Sequence, residues 1–181
     1  MSTKPPDPIA TLHGTQVLLR LIAEEDVAAL TAILADPAVA RWWGRYDEAR
    51  VRSELLESTD TIVYTIVVED DGGAPVVAGS IQYSEEPAPD YRHAGVDVFL
   101  APAFHGRGLG TDAVRTVARH LVHDRGHHRL VIDPQVDNEP AIRCYERVGF
   151  RKVGLMRAYE RGPDGEWHDC LMLEALKDEI A

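Results

Sequence analysis

Three kinds of residue in this chain have the type and spacing to do chemistry. The first is the stretch Phe104-His105-Gly106-Arg107-Gly108-Leu109-Gly110-Thr111, which lies between an apolar run, Val96 to Leu100, and a helical run beginning near Leu109. A helix start leaves about four backbone N–H groups unpaired and carries roughly half a positive charge, so it attracts an anion. Gly108 and Gly110 have no Cβ to keep a pyrophosphate away, Thr111 offers a hydroxyl and Arg107 a charged donor. Alone, such a turn could equally be an ordinary strand-to-helix loop. The second is Asp97, an acid in the middle of a strand-like run, where aspartate is depleted and costly to bury without a partner. It is paired with a buried arginine, or the strand ends early, or it is aimed into a cleft beside the phosphate turn. The third is Tyr145, at helical spacing with Ala141 and Val148; its hydroxyl needs a partner if buried, although the ring alone would serve as core.

Other reactive types are read as structural. Cys144, next to Tyr145, has no His/Asn pair at a nucleophile's spacing and is taken as a small packing residue. His120, His123, His127 and His128 lack a carboxylate or cysteine completing a ligand set, so no metal is expected and the four are assigned to the surface.

These groups need elements to hold them. Residues 1–12, with Pro5, Pro6 and Pro8, read as a flexible arm, and 13–181 as one domain. Val17–Ile22 reads as a strand, followed by a helix with Val27, Leu30, Ile33 and Leu34 on one face, broken at Asp36-Pro37. Trp42, Trp43 and Tyr46 are either core anchors or an aromatic wall, and a further helix is expected over 47–58. Thr61–Glu69 and Val76–Tyr83, joined by Asp70-Asp71-Gly72-Gly73, form a hairpin signature from which Gln82 points a polar group. In His93–Leu100 the alternation puts Val96, Val98 and Leu100 on one face and Gly95, Asp97 and Phe99 on the other. A helix over 108–124 rides on the glycine-rich turn. Arg129–Ile132 is a short buried strand ending at Asp133-Pro134, and Asp137 or Asn138 caps the next helix. Arg151–Glu160 and Trp167–Glu174 make a closing hairpin carrying Asp169.

The run from Asp133 to Phe150 makes a resemblance specific. A strand followed by Asn-x-x-Ala-Ile-x-x-Tyr-x-x-x-Gly-Phe resembles the closing half of the GNAT acyl-CoA-dependent N-acetyltransferase fold. The glycine-rich stretch resembles that family's pyrophosphate loop, with His105 where Gln or Arg is usual. The Asp-Pro before the asparagine, the Ala-Ile-Arg-Cys-Tyr-Glu run and the tandem Trp42-Trp43-Gly44 resemble the aminoglycoside 6'-N-acetyltransferases, over roughly Val17 to Leu173. The resemblance implies an α/β (α+β) fold with a mixed, mostly antiparallel sheet flanked by helices on both faces. It implies acetyl-CoA as co-substrate, held by Val98, Leu100, His105, Gly106, Arg107, Gly108, Leu109, Gly110, Thr111 and Asn138. Asp97 would be general base or amine anchor and Tyr145 the general acid for the departing thiolate. Trp42, Trp43, Gln82, Asp97, Asp133 and Asp169 would face a cationic aminoglycoside. Another amine acceptor, such as a siderophore precursor, a polyamine or a protein N-terminus, and a non-catalytic acyl-CoA-binding module are the alternatives.

Bulk properties agree with that class. At 181 residues and 45% apolar the chain can bury a core, and two distant cysteines do not make a disulfide framework. No signal peptide and no apolar run near the ~18 residues of a membrane span is found, so a cytoplasmic monomer or homodimer is expected. A formal net charge of −11 argues against nucleic acid and anionic membrane surfaces as partners and favours a cationic one, or simple solubility.

Overall fold

The computed structural model describes residues 11–180. Its strands are β1 (Thr11–His13), β2 (Leu18–Leu21), β3 (Thr61–Glu69), β4 (Pro75–Glu86), β5 (His93–Leu100), β6 (Arg129–Ile132), β7 (Arg151–Arg161) and β8 (Trp167–Leu176). They form one open sheet in the order β1-β2-β3-β4-β5-β6-β8-β7, antiparallel except where β5 meets β6. Five helices flank it: α1 (Val27–Ala35), α2 (Pro37–Trp43), α3 (Glu48–Val51), α4 (Leu109–His123) and α5 (Glu139–Glu146). The arm expected over 1–12 lies outside the described residues up to residue 10. Thr11 and Leu12, however, belong to the sheet, paired with Arg20 and Leu19.

Period-two burial on the strands builds two cores. On one face Tyr64, Ile81, Tyr83 and Val96 pack beneath α4 and α5 through Val114, Val117, Leu121 and Tyr145. On the other, Val63 and Phe99 pack against Leu30, Leu34, Val51 and Leu55 of the α1–α3 layer. Each such fully buried side chain stabilises the fold by roughly 1.5–3 kcal/mol before entropy is counted. β5 feeds both cores, with Val96 on the α4 side and Phe99 on the α1 side, as its alternation requires. Asp26 fastens the α1 layer: it accepts two bonds of 2.6 Å from Arg20 and one of 2.8 Å from the Thr65 hydroxyl. Burial would raise its pKa, but these donors and the Ala23 N–H hold it below the usual range.

Two helical details differ from expectation. The aromatic segment after Asp36-Pro37 is a helix of its own, because Asp36 caps the Ala38 N–H at 2.9 Å and Pro37 is tolerated in a first turn. The helix expected over 47–58 is α3 continued by a π-helical turn, Arg52–Leu56. His120 and His127 are not surface residues: both are buried, His120 bonded to Asp124 at 2.8 Å and His127 to Glu85 at 2.7 Å. Their acidic partners take the place of the solvent that a surface assignment supplies.

A buried acid in α4 ties the far edge of the sheet to the glycine-rich turn. Asp112 accepts the backbone N–H groups of Thr15, Gln16 and Val17 at 3.1, 2.6 and 3.1 Å. These close the β1–β2 turn beside the start of α4. Because hydrogen bonds to a charged acceptor are worth about 1.5–3 kcal/mol each and are not additive, Asp112→Ala is expected to cost roughly 3–4 kcal/mol. Chemical denaturation read by circular dichroism checks this; a loss under 1 kcal/mol would show the turn to be held otherwise.

Candidate active site

The site is where the sheet comes apart. β4 and β5 are in register over eight pairs, from Gly79↔Leu100 to Glu86↔His93, whereas β5 and β6 share two, Ala94↔Leu130 and Gly95↔Val131. β6 ends at Ile132; beyond it the chain keeps to β8, the Pro134 carbonyl accepting from the Leu171 N–H at 2.8 Å and Gln135 bridging Cys170, while β5 loses its neighbour after Gly95. Val96 to Leu100 therefore keep one strand edge without a neighbouring strand. The gap joins the two faces of the sheet.

Asp97 stands at this gap on the α1–α3 face, opposite its antiparallel partner Gln82. Water reaches its carboxyl through the open side of a cleft of about 370 Å³ lined by Gly95, Val96, Asp133, Tyr159 and Met172. Elsewhere the protein surrounds it. Burial first, then the negative charge of Asp133, lift its pKa from 3.8 to about 6; Glu160 adds to this and a hydrogen bond from Gln82 opposes it. The carboxyl is thus ionised near neutrality but a stronger base than a free aspartate.

Tyr145 approaches from the other face. It is 5% exposed on α5, packed at 6.3 Å centroid distance against Phe150, and its hydroxyl bonds to no other described residue. The hydroxyl is nonetheless not among the sealed, unpartnered polar atoms, so it keeps contact with solvent. Burial holds its pKa well above the usual 10, with Cys144, Asp97 and Asp133 adding. Asp97, Asp133, Gln82 and Tyr145 are thus brought together.

The phosphate turn is built for close approach. Gly106 and Gly108 have φ of +73° and +81°, left-handed values that a side chain would strain, and the Gly108 residue starts α4. No side chain caps α4, which leaves the N–H groups of Leu109, Gly110 and Thr111 pointing outward. The side chains are arranged less simply. His105 turns its Nε2 back onto the Leu100 carbonyl at 2.9 Å, bracing the turn to β5. Arg107 lies over the Phe104 ring at 5.6 Å, and the Thr111 hydroxyl contacts Cys144 Sγ at 3.4 Å. Asn138 caps α5 through the Ala141 N–H at 3.4 Å, so only its amide NH₂ is left for a ligand. Val98 and Leu100 lie along the free edge of β5, half-buried against the α4-side core.

The remaining expected contacts divide. Trp43 is a core anchor, edge-on to Phe99 at 4.8 Å, and Trp42 stacks under Arg41 at 4.4 Å; neither lines the 370 Å³ cleft. Asp169 spends one oxygen on the Ala158 N–H at 2.7 Å. Ala158 has φ +47° and sits in a bulge of β7 between Met156 and Glu160. That bulge delivers two residues sequence reasoning missed. Tyr159 lines the cleft and hydrogen-bonds Asp133, and Glu160 adds its charge near Asp97 while accepting from Gln135 at 3.0 Å. Tyr46 was grouped only with the tryptophans, yet it lies near enough for Asp97 to act on it: burial, the Glu54 hydrogen bond and that charge push its hydroxyl up to about 12. Glu85 and Glu86 also line the cleft, Glu85 being held by Arg125 and His127.

The model of the acetyltransferase (GNAT) domain matches residues 16–151. The chain is 34% identical over 173 residues to aminoglycoside N(6')-acetyltransferase type 1 of Klebsiella pneumoniae, covering 87% of this chain and 83% of that one. A protein of the same description from Serratia marcescens matches equally. Among solved structures, AAC(6')-Ib in complex with ribostamycin and coenzyme A superposes with a TM-score of 0.71 at 26% identity, covering 91% of this chain and 95% of the other. A GNAT acetyltransferase from Bacillus anthracis is alike in fold, with a TM-score of 0.81 at 17% identity over 93% of this chain and 99% of that one. A parted sheet with a glycine-rich helix start at the gap, a lifted carboxylate on one side and a tyrosine on the other thus meets a family match over most of the sequence: the chain belongs to the GNAT acetyltransferase family.

Proposed function

We propose that the protein transfers the acetyl group of acetyl-CoA to the 6'-amino group of an aminoglycoside, inactivating the antibiotic. The observation that carries the reading is the carboxylate group at the gap, Asp97 with Asp133 and Glu160 beside it, one strand edge away from an anion-binding helix start. It favours a cationic acceptor carrying more than one ammonium, and the 34% identity to an aminoglycoside N(6')-acetyltransferase supports the narrower choice.

An alkylamine with a pKa near the lysine value of ~10.4 is almost wholly protonated at neutral pH and cannot attack a thioester in that form. Asp97, with its pKa at about 6, takes the proton as the nitrogen adds to the thioester carbonyl. Gln82 holds the carboxylate in place, and Asp133 and Glu160 bind a neighbouring ammonium. The donor lies along the free edge of Val96 to Leu100, its pyrophosphate at the N–H groups of Leu109 to Thr111 and its arm near Asn138. As the tetrahedral intermediate collapses, the C–S bond breaks and the thiolate leaves. Tyr145 keeps its proton over the working pH range, hydrogen-bonds that sulfur and passes the proton to it, being reprotonated from solvent.

Thiol release with separate acceptors tests the reading: kanamycin, an aminoglycoside with a 6'-hydroxyl in place of the amine, spermidine, lysine and an alanyl peptide. Turnover on kanamycin and none on the 6'-hydroxyl compound is expected. Release with spermidine or the peptide alone would move the acceptor to another amine, and acetyl-CoA binding without release would leave a binding module.

A further inference from the structure

The cleft at Asp97 has an aromatic ring at its rim, and it comes from β7 rather than from the tandem tryptophan. Tyr159, 51% exposed, lines the cleft with Asp97, Asp133 and Met172, and its hydroxyl donates to Asp133. A kink in the main chain puts it there. β7 loses its register with β8 between Met156 and Glu160, and inside that interval Ala158 has φ +47°. Among the described residues no other side-chain-bearing residue has a positive φ, a region that the Cβ of alanine disfavours. Asp169 compensates for it. Its carboxylate accepts the Ala158 N–H at 2.7 Å from across the hairpin, and its main-chain carbonyl accepts the Val136 N–H at 3.1 Å. One residue of β8 thus holds both segments whose side chains meet as Tyr159 and Asp133. Alternation along β8 turns Asp169 and Met172 to opposite faces, and Met172 is the one that lines the cleft. Asp169 therefore serves the main chain of the bulge rather than the cleft.

We infer that Tyr159 binds the acceptor, with an ammonium resting on its ring face beside Asp133, and that Asp169 is a positioning residue that keeps the ring there through the left-handed Ala158. The inference rests on the proposed cationic acceptor. The face of a tyrosine ring attracts a cation within about 6 Å of its centre, and more strongly where water is partly excluded. Because the phenol is bonded to Asp133, ring and carboxylate are fixed relative to each other and take one ammonium between them. Without the Asp169 bond the strained φ of Ala158 has nothing to offset it, so the bulge relaxes and the ring leaves the rim.

Steady-state thiol release with kanamycin, alongside calorimetric binding of acetyl-CoA, provides the test. Tyr159→Leu, which keeps bulk but loses the ring face, should raise KM for kanamycin about 5- to 20-fold, with kcat changed by less than about threefold and acetyl-CoA binding unaltered. Tyr159→Phe keeps the ring and should stay within about threefold. Asp169→Ala should raise KM about as much as Tyr159→Leu, whereas Asp169→Asn, whose amide oxygen still accepts the Ala158 N–H, should stay within about threefold. Adding Ala158→Gly to Asp169→Ala should restore KM, since glycine takes a left-handed φ without support. Asp169→Ala should add nothing to Tyr159→Leu, because the two act through the same ring. An unchanged KM in Tyr159→Leu overturns the inference. So does Asp169→Asn as damaging as Asp169→Ala, or no recovery with glycine at 158, since the charge of Asp169 would then be what the acceptor feels. Should circular dichroism show Asp169→Ala to be unfolded, Asp169→Asn and Tyr159→Leu decide alone. No turnover of kanamycin by the unaltered protein removes the acceptor reading and the inference with it, whereas turnover indifferent to Tyr159 removes the inference only.

Discussion

Asp97→Asn is expected to lower kcat by about 10²- to 10⁴-fold, the range spanned by positioned acid–base groups, while the affinity for acetyl-CoA stays the same. The amide keeps the shape and a hydrogen bond to Gln82 but cannot accept a proton. Thiol-release kinetics measures the loss; retention of more than a tenth of the turnover would remove Asp97 from the chemistry. In the unaltered enzyme kcat/KM should fall tenfold per pH unit below about 6, where Asp97 becomes protonated, and that limb should vanish in the residual activity of the variant. The same substitution should raise Tm at pH 7.5. The folded pKa, at about 6, lies above the usual 3.8, so the folded state binds this proton more tightly than the unfolded chain. The resulting stability is complete below pH 3.8 and lost as pH rises through 6, leaving the ionised group a net burden at neutrality. The gain in Tm should therefore shrink at pH 4. An enzyme that becomes more stable as it loses activity is the signature of a charge kept for function.

Tyr145→Phe is expected to lower kcat about 10²-fold or more with KM for acetyl-CoA changed less than threefold. The phenylalanine ring retains the contact with Phe150 and the α4-side core, so Tm should shift little; the lost hydroxyl leaves no protein partner unpaired. Pre-steady-state comparison of acetyl transfer with thiol release checks the assignment. An unaltered kcat would reduce Tyr145 to packing.

Much of this was legible in residue order because it depends on local rules. Period two along His93–Leu100 placed Asp97 and Phe99 together, and glycine in left-handed positions marked the turn before α4. Asn138, with Pro140 behind it, marked the start of α5. What was not legible depends on chain segments far apart. Tyr159 reaches the cleft, and the charge of Glu160 reaches Asp97, where β7 bulges at Ala158, which breaks the parity that assigns faces to a strand. Asp112 answers N–H groups some 95 residues away, and a helix wheel reads it as an ordinary first-turn acid. His120 and His127 read as surface residues because Glu85 and Asp124, which make their burial tolerable, are visible only in space. The double tryptophan left core anchor and aromatic wall both open, since an aromatic pair serves either, and only its position in space sets Trp43 edge-on to Phe99.

The two-rung join of β5 to β6 has a mechanical consequence. It is the weakest seam in an otherwise continuous ladder, and it divides the sheet into a five-strand leaf and a three-strand leaf that share few hydrogen bonds. Under the proposed function, a donor laid along the bare edge of Val96 to Leu100 would add hydrogen bonds at this seam, as a ninth strand would.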